Sequence, residues 1–72
     1  MTTEIKKYIE KEFHPDAQQF VESIIESIFK DEWGVSKNLL AMSLLKLSRG
    51  SVDKLLSYFP IIDPRDIIME AS

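Results

Sequence analysis

The chain has 72 residues, of which 44% are apolar and 29% are charged. This balance is typical of a folded globular protein and excludes an intrinsically disordered chain, which has far fewer aliphatic residues. Because the chain contains no cysteine, disulfides and thiolate metal sites are excluded as well. A domain this small buries only about 60% of the surface that its unfolded chain exposes. Oligomerisation is therefore an obvious further source of stability.

The formal net charge is −3 at pH 7. An acidic chain repels phosphate backbones at long range, so binding to nucleic acid is disfavoured. The longest apolar run, residues 39–42, is far shorter than the roughly 20 residues of a membrane span. The first residues also lack the apolar segment of a secretory signal. We therefore expect a cytosolic protein that does not enter a membrane.

The first predicted helix covers residues 4–13, with Thr2 or Thr3 as its N-cap. Its apolar residues recur at helical spacing and share one face: Ile5, Tyr8, Ile9 and Phe13. The helix should end at His14, because the residue before a proline avoids the helical region.

The second predicted helix has the clearest periodicity in the chain. Seven apolar residues follow an i, i+3, i+4, i+7 series: Ala17, Phe20, Val21, Ile24, Ile25, Ile28 and Phe29. Asp16 and Gln19 have the spacing of a capping box, which predicts Asp16 as the N-cap. Gly34 is predicted to end this helix as its left-handed C′ residue.

Three more helices are predicted after Gly34, each preceded by a good N-cap residue. They cover residues 37–49 after Ser36, 52–59 after Ser51, and 64–71 after Asp63. Ile62 and Ile67 have the spacing of a hydrophobic staple at the start of the last helix, as Val35 and Leu40 have at the start of the third. No segment is typical of a strand. The expected fold is all-α, a compact bundle of four to five short helices forming one domain over residues 1–72.

The third helix is apolar on two sides. Leu40, Leu44 and Leu47 form one stripe, and a second patch lies on the far side of the helix. Such a helix is either the central helix of its bundle or is covered by another chain. The second interpretation defines a candidate interface of Leu39, Met42 and Leu45, with Lys46 and Arg49 at its rim.

Trp33 is a further candidate interface residue. An exposed tryptophan can anchor a protein–protein interface. A single tryptophan at a helix end more often fills the core beneath a turn, and this second interpretation is favoured.

No residue pattern indicates catalysis. His14 is the only histidine, its turn position suits an exposed loop residue or a helix cap, and no Glu-x-x-His metal motif accompanies it. The carboxylates fall at helix starts, in turns or on polar faces, where no pair is desolvated for acid–base work. Phosphate-binding glycine loops and nucleophile elbows are absent. We expect no enzyme, and no catalytic, metal or cofactor-binding residues.

The sequence therefore favours a small protein that acts through protein–protein interaction, with itself or with another protein. The alternative is a helix-turn-helix regulator that binds DNA through residues 37–59. In its favour, residues 37–54 carry four basic residues and one acidic residue, a net charge of +3. Against it, the second helix of this motif offers few of the side chains that read base edges.

Overall fold

Five α-helices and no β-strand make up the computed structural model, which describes all 72 residues. The helices are α1 (Thr3–Glu12), α2 (Pro15–Phe29), α3 (Lys37–Ser48), α4 (Val52–Ser57) and α5 (Pro64–Ala71). The radius of gyration is 11.0 Å, as scaling gives for a compact chain of this length (about 11 Å). The predicted all-α bundle is confirmed. None of the five helices combines the length and the apolarity that crossing a membrane requires.

Four of the five helices begin at the predicted N-caps. The side-chain oxygens of Thr2, Ser36, Ser51 and Asp63 each accept a backbone N–H from the first turn, at 3.0–3.2 Å. These N–H groups have no partner inside the helix, so the capping side chains fix where each helix starts.

The start of α2 differs from the prediction. Its N-cap is His14, whose Nδ1 accepts the backbone N–H of Asp16 at 3.2 Å, and Pro15 is the first helical residue. Proline suits that position because its φ is already helical and it has no N–H to leave unpaired. The capping box of Asp16 and Gln19 was therefore a wrong prediction, whereas an exposed, capping His14 agrees with expectation.

The end of α2 also differs, because the helix stops at Phe29 and not at Gly34. The indole Nε1–H of Trp33 donates to the carbonyl of Ile28 at 2.8 Å, and Lys37 Nζ donates to the carbonyl of Phe29 at 3.2 Å. These side chains satisfy carbonyl groups that a longer helix would have used. Gly34 is left-handed as predicted, with φ 75°, but it lies in the loop that follows.

Helix α3 is the central helix of the bundle and contacts each of the other four. Six of its 12 residues are buried: Leu40, Ala41, Ser43, Leu44, Leu45 and Ser48. The two buried serine hydroxyls donate to the carbonyls of Leu39 and Leu44, at 2.7 and 2.6 Å. No buried polar side chain is left without a partner, so the hydrogen bonds of both serines offset the desolvation of their hydroxyls in the core.

The remaining core comes mainly from α1 and α2, with one residue each from α4 and α5: Ile5, Ile9, Phe13, Val21, Ile25, Ile28, Leu55 and Ile67. Two apolar residues depart from the prediction. Phe20, at the edge of the α2 stripe, is 51% exposed, and Ile62 is 92% exposed. Ile62 therefore does not staple onto Ile67. Its neighbour Ile61 packs against the core instead.

A tight backbone contact joins the α3–α4 corner to the end of α1. Arg49 and Gly50 are both left-handed, with φ 50° and 79°. A β-carbon on Gly50 would overlap the backbone carbonyl oxygen of Glu12. Gly50 is thus required both for its backbone angle and for this close approach.

Candidate interaction surface

Leu45 cannot belong to the candidate interface, because its side chain is fully buried within its own chain. The interface interpretation placed it with Leu39 and Met42 on the far side of α3. At Leu45 that side is enclosed, since α3 contacts all four other helices. Leu45 belongs to the core of the bundle.

Leu39 and Met42 do reach the surface. Leu39 is 50% exposed, and Met42 is half-buried and packs against the core from outside. Helix α5 runs beside them, so that the two helices form a shallow groove of about 120 Å³. We call it the α3–α5 groove. Its lining residues are Leu39, Met42, Ser43, Lys46, Ile68, Ala71 and Ser72.

The α3–α5 groove is mostly aliphatic. Both walls contribute apolar side chains, and the only charged lining residue is Lys46. The hydroxyl of Ser43 already donates to the carbonyl of Leu39. On α5, Met69 follows Ile68 and is 71% exposed. A surface with this composition suits contact with apolar side chains of another protein and has few groups that could orient a polar ligand.

The α5 wall of the groove was not anticipated from the sequence. Ile68 and Ala71 were included in the last helix only as part of its range. A signal was present, because Ile67 and Ile68 are adjacent and lie about 100° apart on a helix. When Ile67 is buried, Ile68 must face another direction.

Arg49 is exposed but does not line the groove. It is the left-handed C-cap of α3 and stands at the corner before α4. Of the two predicted rim cations, the structure therefore brings only Lys46 to the groove.

Trp33 lies apart from the groove, in the loop between α2 and α3. Its ring is half-buried and packs against the core, and its N–H is used by the carbonyl of Ile28. This is the arrangement expected of a residue that fills the core beneath a turn.

One of the four basic side chains of the helix-turn-helix alternative already has partners within the chain. Lys37 pairs with Glu32 at 3.0 Å and also binds the end of α2. Helix α4, the second helix of this motif, has six residues and ends at Ser57, two residues before its predicted end. A helix this short can place few side chains in the major groove of DNA. Lys46, Arg49 and Lys54 are exposed.

Burial, and to a smaller extent the nearby negative charge of Glu12, raises the pKa of Tyr8 above its ordinary value. Tyr8 lies on α1 and lines neither surface groove. No group of three or more His, Asp or Glu side chains is placed to hold a metal ion.

Comparison with protein-family models, with curated protein sequences and with solved structures found no match.

Proposed function

We propose that this chain is a small helical interaction module that pairs with a second copy of itself through the α3–α5 groove. One observation carries the proposal. Leu39 is a large apolar side chain, 50% exposed, on the central helix of the bundle, and it lines an aliphatic groove whose other wall is Ile68 and Ala71.

A second copy fits this surface because a two-fold symmetric interface uses the same patch twice. Leu39 of one copy would enter the groove of the other, and the reverse contact would form at the same time. Lys46 would stay at the solvated rim, where its charge need not be desolvated.

The expected affinity is modest. A standard interface buries about 800 Å² on each partner, roughly a sixth of the 4708 Å² that this chain exposes. The groove supplies only part of that area, so contacts must extend along α5 to Met69. Because association also costs several kcal/mol of lost rigid-body freedom, we expect a dissociation constant on the order of micromolar.

The helix-turn-helix alternative has less support. A six-residue α4 offers little length for base readout in the major groove. With Lys37 engaged by Glu32 and the end of α2, three of the four cations remain for phosphate contacts.

The test is a single charge placed at the groove. Leu39→Glu should convert a reversible dimer into a monomer, measured by sedimentation or light scattering over the micromolar range. Leu56→Glu is the matched control, because Leu56 is 43% exposed on α4 and does not line the groove. Circular dichroism should show that both variants stay folded.

Two results would refute the proposal. One is a wild-type chain that stays monomeric at high micromolar concentration. The other is a dimer that Leu56→Glu dissociates as completely as Leu39→Glu does, because the interface would then lie elsewhere or the effect would come from added charge.

A further inference from the structure

A second groove, of about 400 Å³, lies on the other side of α5, between that helix and the segment that follows α4. We call it the acidic groove. Its lining residues are Ser57, Tyr58, Pro60, Ile62, Asp63, Asp66, Ile67 and Glu70.

One part of the acidic groove is apolar. Ile62 is 92% exposed, more than any other large apolar side chain in the chain. A single exposed isoleucine is common on protein surfaces, but Ile62 shares this groove with Pro60 and the half-buried Tyr58. Together they form a contact surface for an apolar side chain.

The other part carries three carboxylates and no cation. The ion pairs of the chain join Lys37 to Glu32 and, when the histidine is protonated, His14 to Asp16. The groove carboxylates take part in neither. Their combined charge of −3 equals the net charge of the whole chain.

These carboxylates differ in what they do for the fold. Asp63 caps α5 by accepting the N–H of Arg65 at 3.0 Å. Asp66 and Glu70 accept no hydrogen bond from any other side chain and are four residues apart on one helix face, where like charges repel. A bound cation would be attracted to each of these two carboxylates and would also relieve the repulsion between them.

We propose that the acidic groove binds a short cationic segment of another protein. An Arg or Lys side chain would lie against Asp66 and Glu70, and a neighbouring apolar side chain would pack on Ile62. Charge complementarity argues for this occupant. Because the carboxylates do not converge to hold a metal ion, the site suits an extended organic cation.

The probe is a fluorescently labelled peptide of alternating Arg and Leu residues, titrated with the full chain and followed by anisotropy. The double variant Asp66→Asn/Glu70→Gln should weaken binding about fivefold or more, as two partly exposed ion pairs allow. Glu22→Gln/Glu26→Gln is the matched control, since it removes the same charge from α2 and should change affinity far less. Ile62→Ser should weaken binding at constant charge, whereas Leu56→Ser should not.

Amide chemical shifts of the isotopically labelled chain locate the peptide, and perturbations should concentrate in residues 57–70. The proposal is overturned if the two charge variants weaken binding equally, since affinity would then follow net charge alone. It is also overturned if a peptide of Glu and Leu binds as well, or if the shifts map to another surface. A chain that dimerises on its own and becomes monomeric in Asp66→Asn/Glu70→Gln would show that a second copy occupies the groove instead.

Discussion

Gly34 and Gly50 allow a matched test of what a glycine does in this fold. Both are left-handed, with φ 75° and 79°. An added β-carbon at Gly34 meets nothing within 4 Å, whereas at Gly50 it overlaps the carbonyl oxygen of Glu12. Replacing each by alanine therefore imposes the same backbone strain at both positions and a steric conflict at only one.

The magnitudes follow from these two terms. A non-glycine residue in the left-handed region costs about 1–2 kcal/mol, which is the whole expected loss for Gly34→Ala. Gly50→Ala adds the cost of pushing the end of α1 away, about 1–3 kcal/mol as for an overpacked site. The unfolding entropy of 72 residues is about 150 cal/mol/K, so each kcal/mol lowers the melting temperature by about 7 °C.

Thermal and urea denaturation followed by circular dichroism measure both variants. Gly34→Ala should melt about 7–14 °C below the wild type, and Gly50→Ala about 15 °C or more below it. Equal losses would contradict the reasoning, because the contact with Glu12 would then contribute nothing. A wild-type melting temperature in Gly34→Ala would show that the left-handed conformation is not needed in the α2–α3 loop.

Three further predictions concern stability and protonation. Ile25→Ala, at a fully buried position, should lower the free energy of unfolding by about 2–5 kcal/mol. Phe20→Ala, at the half-exposed edge of the same helix, should lower that free energy by less, and urea denaturation measures both variants. Lys37→Met removes a cation from the C-terminal end of α2 and should cost about 0.5–1 kcal/mol, with the loss shrinking at high salt. Burial and Glu12 raise the pKa of Tyr8 above 10.0, so Glu12→Gln should lower that pKa in an absorbance titration made with the second tyrosine replaced by phenylalanine. Because the folded state holds the phenol proton more tightly, stability should fall as the pH rises from about 10 through the raised pKa.

Local patterns predicted most of the helices because each signal acts over a few residues. Ser36, Ser51 and Asp63 cap their helices for a reason that is visible in the sequence alone. A capping role for His14 was foreseen, but the N-cap of α2 was assigned to Asp16, although Pro15 marks the first helical position as clearly as Pro64 does in α5. Asp16 is the commoner N-cap residue type, and that preference misled the prediction.

The surface could not be predicted with the same success, because it depends on which apolar face each neighbour covers. Leu39 and Leu45 lie on the same predicted patch of α3, yet one is half-exposed and the other is fully buried. Likewise, Ile61 packs inward and Ile62 points outward, although the two residues are chemically identical. Periodicity identifies a stripe on a helix, but the positions of the other helices decide which part of it remains accessible.

Helix α5 makes its main contacts with α3 alone, whereas α3 touches every helix. A helix of eight residues is unstable once detached, so we expect α5 to unfold locally more readily than α3, which packs against every other helix. Hydrogen exchange should therefore divide the amides into a fast group in α5 and a slow group in α3. Residues of α5 form one wall of both grooves. A ligand can therefore bind in either groove only while α5 is packed against the bundle. Occupancy of one groove would then favour occupancy of the other by holding α5 in place.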